Sequence, residues 1–165
     1  AGMRAKVFTV LFICRHNAVR SQMAEVLLRS VGRRRFAVYS AGTEPAAALH
    51  PLTLETIRNA GLRADGLAPK GLERFVGSDG PALHFAFTLC EDSGRCRAPL
   101  AGRPMRAHWP FPDPTLATGG PAERAAIFAE TFRMIRGRLE LFAELPVEGL
   151  DRLTLQRRMD ELGRG

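Results

Sequence analysis

The chain has 165 residues, 45% hydrophobic and 25% charged, which is enough for one domain with a sizeable core. No apolar run approaches a membrane span and no signal peptide is visible, so a soluble protein without a membrane partner is expected. The net charge of +7 raises the question of nucleic acid, but the basic residues are scattered arginines with only Lys6 and Lys70 as lysines, so no nucleic-acid partner is expected and the basic surface is read as an attractor of anions.

Ala1 and Gly2 before Met3 read as a cloning remnant and are set aside. The run Val7–Ile13 is apolar and β-prone, as in a buried parallel strand. A loop from Cys14 leads into a predicted helix, Ser21–Val31, with Met23, Val26 and Leu27 on one face. Arg33, Arg34 and Arg35 cluster at its end, where cations complement the helix dipole. Phe36–Ser40 reads as a second strand. Pro51–Ala60 reads as a helix, with His50 before it, Pro51 in its first turn and Gly61 ending it.

Residues 63–80 read as loop, with a short helix near Leu72–Phe75. Leu83–Leu89 is a third predicted strand, Glu91–Gly102 a polar mobile loop, and Met105–Trp109 a fourth strand. Pro121–Leu145 places Phe128, Phe132, Ile135, Leu139 and Phe142 at helical spacing. The tail, residues 150–165, is a further amphipathic helix, expected to pack on the domain rather than to make a dimer contact. Alternating strands and helices predict an α/β fold, a single-domain open parallel four-stranded sheet flanked by helices over residues 3–165. Right-handed crossovers put the Cys14 loop at the carboxyl edge of that sheet, where such folds bind ligands.

A strand–loop–helix unit aims loop N–H groups and the positive end of a helix dipole at one point, which makes an anion site. Cys14 sits in that field, so its thiolate is favoured. A free thiol ionises near about 8.5, and helix N-termini with cationic neighbours lower that to about 3.5–7.5. Arg20 offers a planar bidentate fork for a tetrahedral oxyanion. Nucleophile, cradle and charge clamp thus come from eight consecutive residues, Cys14 to Ser21. Three cysteines in a chain with no export signal point to a reducing cytoplasm and to working thiols, not a disulfide framework.

The segment from Val10 to Glu25, followed by Tyr39-Ser40-Ala41-Gly42-Thr43, His50-Pro51 and His108-Trp109-Pro110-Phe111-Pro112-Asp113-Pro114, resembles the loop and landmarks shared by low-molecular-weight protein tyrosine phosphatases and thioredoxin-coupled arsenate reductases. The resemblance covers about Val7 to Phe142. It implies an arsenate- or phosphate-binding loop made of Arg15, His16, Asn17, Ala18, Val19, Arg20 and Ser21, with Cys14 as nucleophile. Ser21 is expected to hydrogen-bond Cys14 or to cap the helix, and Asn17 to hold a left-handed loop conformation. His16 and Val19 depart from the commonest loop pattern, and His16 either adds charge or points to solvent. Asp113, held by Pro114, is the implied general acid.

The resemblance also implies a role for Cys90, at the end of the third strand, and Cys96, six residues on. In such arsenate reductases a cysteine pair at this place completes a Cys14/Cys90/Cys96 relay that a thioredoxin-type thiol reductant resets. No cofactor and no metal are expected. The chain has no second Cys or His pair at zinc-ligand spacing, and Lys70 falls where some reductases of this fold carry an acidic residue at a monovalent-cation site. The alternative is a phosphotyrosine phosphatase with a Cys14 phosphocysteine. Such enzymes usually wall the pocket with tyrosines after the Asp-Pro, whereas this chain has Thr115-Leu116-Ala117-Thr118-Gly119. A third and weaker reading is a non-catalytic anion-binding module.

Overall fold

The computed structural model describes residues 6–91 and 99–165. Its strands are β1 (Phe8–Cys14), β2 (Phe36–Gly42), β3 (Phe85–Thr88) and β4 (Met105–His108), and its helices are α1 (Arg20–Val31), α2 (Pro51–Asn59), α3 (Pro121–Glu144) and α4 (Arg152–Arg164). The strands form one parallel sheet in the order β2-β1-β3-β4, the predicted architecture. β1 lies in the middle, so its residues Val10–Ile13 are at most 1% exposed, as their unbroken apolar run requires.

Tertiary pairing set the strand ends. β2 runs on to Gly42 because it stays in register with β1 from Phe8↔Phe36 to Cys14↔Gly42. β3 is shorter than its apolar run, because its register with β4 spans only Phe85↔Met105 to Thr88↔His108. Gly42 meets the Cys14 loop closely: a Cβ there would lie 2.7 Å from the Arg15 carbonyl oxygen.

One face of the sheet carries the main core, in which Phe87, Trp109 and Phe142 make ring contacts at 4.2–5.9 Å. A smaller cluster, with Leu11, Ile13, Phe75 and Leu100, covers the other face. α1 is buried over Arg20–Leu28, all round rather than on one stripe, because α3 packs on it opposite the sheet. The Arg33–Arg35 cluster differs from expectation. These residues form a 3₁₀ turn, and Arg35 donates to the Ala143 and Leu145 carbonyls at the end of α3, so it complements a different helix.

α4 lies along β4. It buries Leu155 and Met159, the Trp109 indole N–H donates to the Met159 carbonyl (2.8 Å), and Gln156 donates to the Arg106 carbonyl (2.7 Å). Gly163 allows this close approach, since a Cβ there would stand 2.5 Å from the His108 carbonyl oxygen. Among the described residues no helix is long and apolar enough to cross a membrane.

Candidate active site

The Cys14 loop is built by turning its carbonyls outward. The Cys14 carbonyl accepts from Thr43 N–H, Arg15 from Glu44, His16 from Ala46, Ala18 from His50, and Val19 from Met23, at 2.8–3.3 Å. The Asn17 carbonyl accepts from the Gln22 side chain at 3.0 Å. In a trans peptide C=O and N–H point oppositely, so the loop's N–H groups face its interior, toward the start of α1. Asn17 makes the required reversal with φ +51°, a left-handed conformation that Asn tolerates.

Beneath the loop the backbone fixes which way Asn17 faces. The Lys70 backbone N–H, which can only donate, reaches Asn17 Oδ1 at 2.9 Å. The Asn17 amide nitrogen therefore faces Ser21 Oγ (2.7 Å) and Ser40 Oγ (3.0 Å) and donates to both. Ser21 Oγ, which accepts from Asn17, lies 2.8 Å from the sulfur of Cys14, within reach for its hydroxyl proton to be donated there. The structure thus places the Ser21 side chain against Cys14 and not at the helix cap, where Val19 stands without a side-chain cap bond. Ser40 donates to Glu25 Oε1 at 2.9 Å.

Arg20 is 7% exposed, and its guanidinium donates to the Phe111 carbonyl (2.9 Å) and lies 3.8 Å from Asp113 Oδ2. Asp113 caps the turn at 114–116, where Oδ1 accepts from the Thr115 N–H (3.0 Å) and hydroxyl (2.7 Å). That leaves Oδ2 as the oxygen near Arg20. Cys14, His16, Ala18, Val19, Arg20, His50, Asp113 and Thr115 line a cavity of about 200 Å³.

The loop residues divide. His16, Ala18, Val19 and Arg20 face the cavity, and Asn17 and Ser21 lie beneath it. The Arg15 side chain turns away to an exposed ion pair with Glu44 at 3.0 Å. His16 is exposed, with Nδ1 3.0 Å from the Glu44 carbonyl oxygen. His50 and Thr115 were missed as cavity residues. The signal for His50 was its place before Pro51: its Nδ1 accepts from Leu52 N–H (3.1 Å), which leaves the proton on Nε2. Trp109, read as part of a functional motif, belongs instead to the core, 1% exposed.

Cys90 is 7% exposed and lies just past β3. The register Ile13↔Thr88 and the bond from Leu89 N–H to the Ile13 carbonyl (2.8 Å) put Cys14 and Cys90 on neighbouring strand exits at the same sheet edge. Cys96 lies outside the described residues.

Lys70 was read only as a residue at odds with a cation site. Its ammonium is 3.7 Å from Glu25 Oε1 and 3.3 Å from Ser40 Oγ. Burial pushes it below the ordinary lysine range, Glu25 pulls it back up, and Arg29 and Arg74 lower it further.

The chain is similar to known proteins. The chain is 33% identical over 139 residues to an arsenate reductase of Bacillus licheniformis, covering 82% of this chain and 95% of the relative. It is 30% identical to an arsenate reductase of Bacillus subtilis, covering 82% and 94%. Among solved structures it matches a thioredoxin-dependent arsenate reductase of Corynebacterium glutamicum with a TM-score of 0.56 at 28% identity. That match covers 85% of this chain and 65% of the other. The model of the family described as low molecular weight phosphotyrosine protein phosphatase matches residues 9–152, from β1 to the start of α4. With that match taking in the Cys14 loop, Asp113 and all four strands except Phe8, the chain belongs to the low molecular weight phosphotyrosine protein phosphatase family.

Proposed function

We propose that the protein is an arsenate reductase that works through Cys14, Cys90 and Cys96. The Cys14 thiolate attacks arsenate held by the loop N–H groups and Arg20. Asp113 protonates the departing hydroxide, which leaves as water and gives a Cys14 sulfur–arsenic(V) adduct. Cys90 then attacks the Cys14 sulfur. The sulfur–arsenic bond breaks, its electron pair stays on arsenic, and arsenite leaves from a Cys14–Cys90 disulfide. Cys96 attacks Cys90 and releases Cys14, and a thioredoxin-type dithiol in the cytoplasm reduces the Cys90–Cys96 disulfide by exchange.

The observation that carries this reading is Cys90 on the strand exit next to Cys14, because hydrolysis of a phosphocysteine has no use for a second thiol there. Similarity to proteins named arsenate reductase supports it. The cavity also fits a small oxyanion, since among the described residues no Phe, Tyr or Trp lines it. The phosphatase reading keeps one support, the shared Cys14, Arg20 and Asp113, so slow hydrolysis of an aryl phosphate is expected as a side activity.

The test is a single-turnover thiol count. Fully reduced protein, freed of reductant and given arsenate, should fall from three thiols to one, with Cys90 joined to Cys96. No thiol loss, together with steady aryl phosphate hydrolysis, would identify a phosphatase instead.

A further inference from the structure

Glu25 is an unusual residue to find under an anion site. Its side chain is 4% exposed, it lies one helical turn after Ser21, and a bare carboxylate there would oppose a negative charge on Cys14. Two cations meet it, and they meet different oxygens. Arg29, 52% exposed, holds Oε2 at 2.8 Å from the solvent side and also donates to the Val38 carbonyl. Lys70 approaches Oε1, the oxygen that also accepts the Ser40 hydroxyl. Oε1 is the end of the chain Glu25–Ser40–Asn17–Ser21–Cys14.

The Lys70 backbone is fastened to the same place. Its N–H holds Asn17 Oδ1 at 2.9 Å and its carbonyl accepts from Gly42 N–H at 2.8 Å. The ammonium also lies 3.2 Å from the Ala68 carbonyl oxygen and 3.3 Å from Ser40 Oγ, and Arg29 and Arg74 are cations near it. Two backbone bonds and two ammonium contacts hold the charge at Oε1 although the side chain remains 36% exposed.

We infer that Lys70 is a positioning residue for the nucleophile: its ammonium neutralises Glu25 at the buried end of the hydrogen-bond chain, so that the carboxylate orders Ser40 and Asn17 without repelling the negative charge on Cys14. The inference rests on Cys14 being the nucleophile of the proposed reaction, but its readout requires no arsenate. A carboxylate stripped of this partner acts on the sulfur across a partly solvated distance, which sets a modest effect.

The experiment is alkylation of the full-length protein by iodoacetamide, with modification at Cys14 followed by peptide mass spectrometry across pH. Lys70→Met should slow Cys14 alkylation at pH 7 by about three- to tenfold and move its pH profile upward. Lys70→Arg should stay within about twofold of the native rate. Glu25→Gln/Lys70→Met, which removes both charges, should return to within about twofold as well. A purely structural lysine would give a double variant at least as slow as the single one, and that result, or an unchanged rate in Lys70→Met, overturns the inference. If Lys70→Met does not fold, Lys70→Gln keeps a polar group there and removes the same charge. Failure here with a normal three-to-one thiol loss leaves the reductase reading standing. Native Cys14 that alkylates no faster than free cysteine sinks both.

Discussion

The two sides of the Cys14 loop are built differently. The underside is closed: Asn17, Ser21 and Ser40 are 0% exposed, and each has hydrogen-bond partners. The mouth is open. His16 and Thr115 are exposed there, and Asp113 and His50 are only partly covered. A buried polar group without a partner is costly, so the underside tolerates one arrangement. The mouth, wet and held by a turn and a helix cap, tolerates several. Reactivity of the sulfur is therefore assigned below the loop and choice of substrate above it.

Substitutions can break or sharpen that contrast. The largest effect is expected from Cys14→Ser, which should abolish both arsenate reduction and aryl phosphate hydrolysis in steady-state assays; survival of either would remove the sulfur from the chemistry. Asp113→Asn, at the mouth, should lower kcat by about 10²–10⁴ while leaving Cys14 alkylation near the native rate. A matching loss of alkylation would show that mouth and underside are not separable. Ser21→Ala, on the underside, should do the converse, slowing Cys14 alkylation at pH 7 by about tenfold through loss of one charge-assisted bond of about 1.5–3 kcal/mol. His50→Gln should act mainly on KM and by less than about tenfold, because one neutral donor on the rim is altered. A change in alkylation as large as that of Ser21→Ala would place His50 with the underside.

The smallest effect lies far from both, at Asp151, which caps α4. The Thr154 backbone N–H, and then the Thr154 hydroxyl, hold its carboxyl below the usual aspartate range. A depressed carboxyl stabilises the fold above its unfolded-state value and stops doing so as pH falls through the folded one. Asp151→Ala should therefore lower Tm slightly at pH 7, and the difference from the parent protein should shrink in acid. A difference that persists unchanged at low pH would remove the carboxylate from the account.

The Cys14 loop was legible because everything that makes it is local. An apolar run, a cysteine, a six-residue step to Arg20 and a helix-forming stretch lie within some twenty residues, and their periodicities are short-range signals. The same holds for α3, whose apolar positions recur at helical spacing. Glu25 carried no such signal. It is an ordinary helix-former, read as such, and its partners Ser40 and Lys70 stand 15 and 45 positions away. α1 looked amphipathic because two turns of sequence reveal one stripe, whereas its burial depends on α3, more than ninety residues later. Trp109 misled for a related reason, since a motif residue and a core residue look alike until β4 and α4 are docked.

The sequence by itself determined which residues could do chemistry and that the sheet would be parallel, because backbone propensity, side-chain type and hydrophobic period act over a few residues. Only the tertiary structure decided that Arg20 would meet Phe111 and Asp113, that Cys90 would leave the strand beside Cys14, and that Lys70 would reach under the loop. Those meetings depend on sheet order and loop paths, which no short stretch of sequence contains.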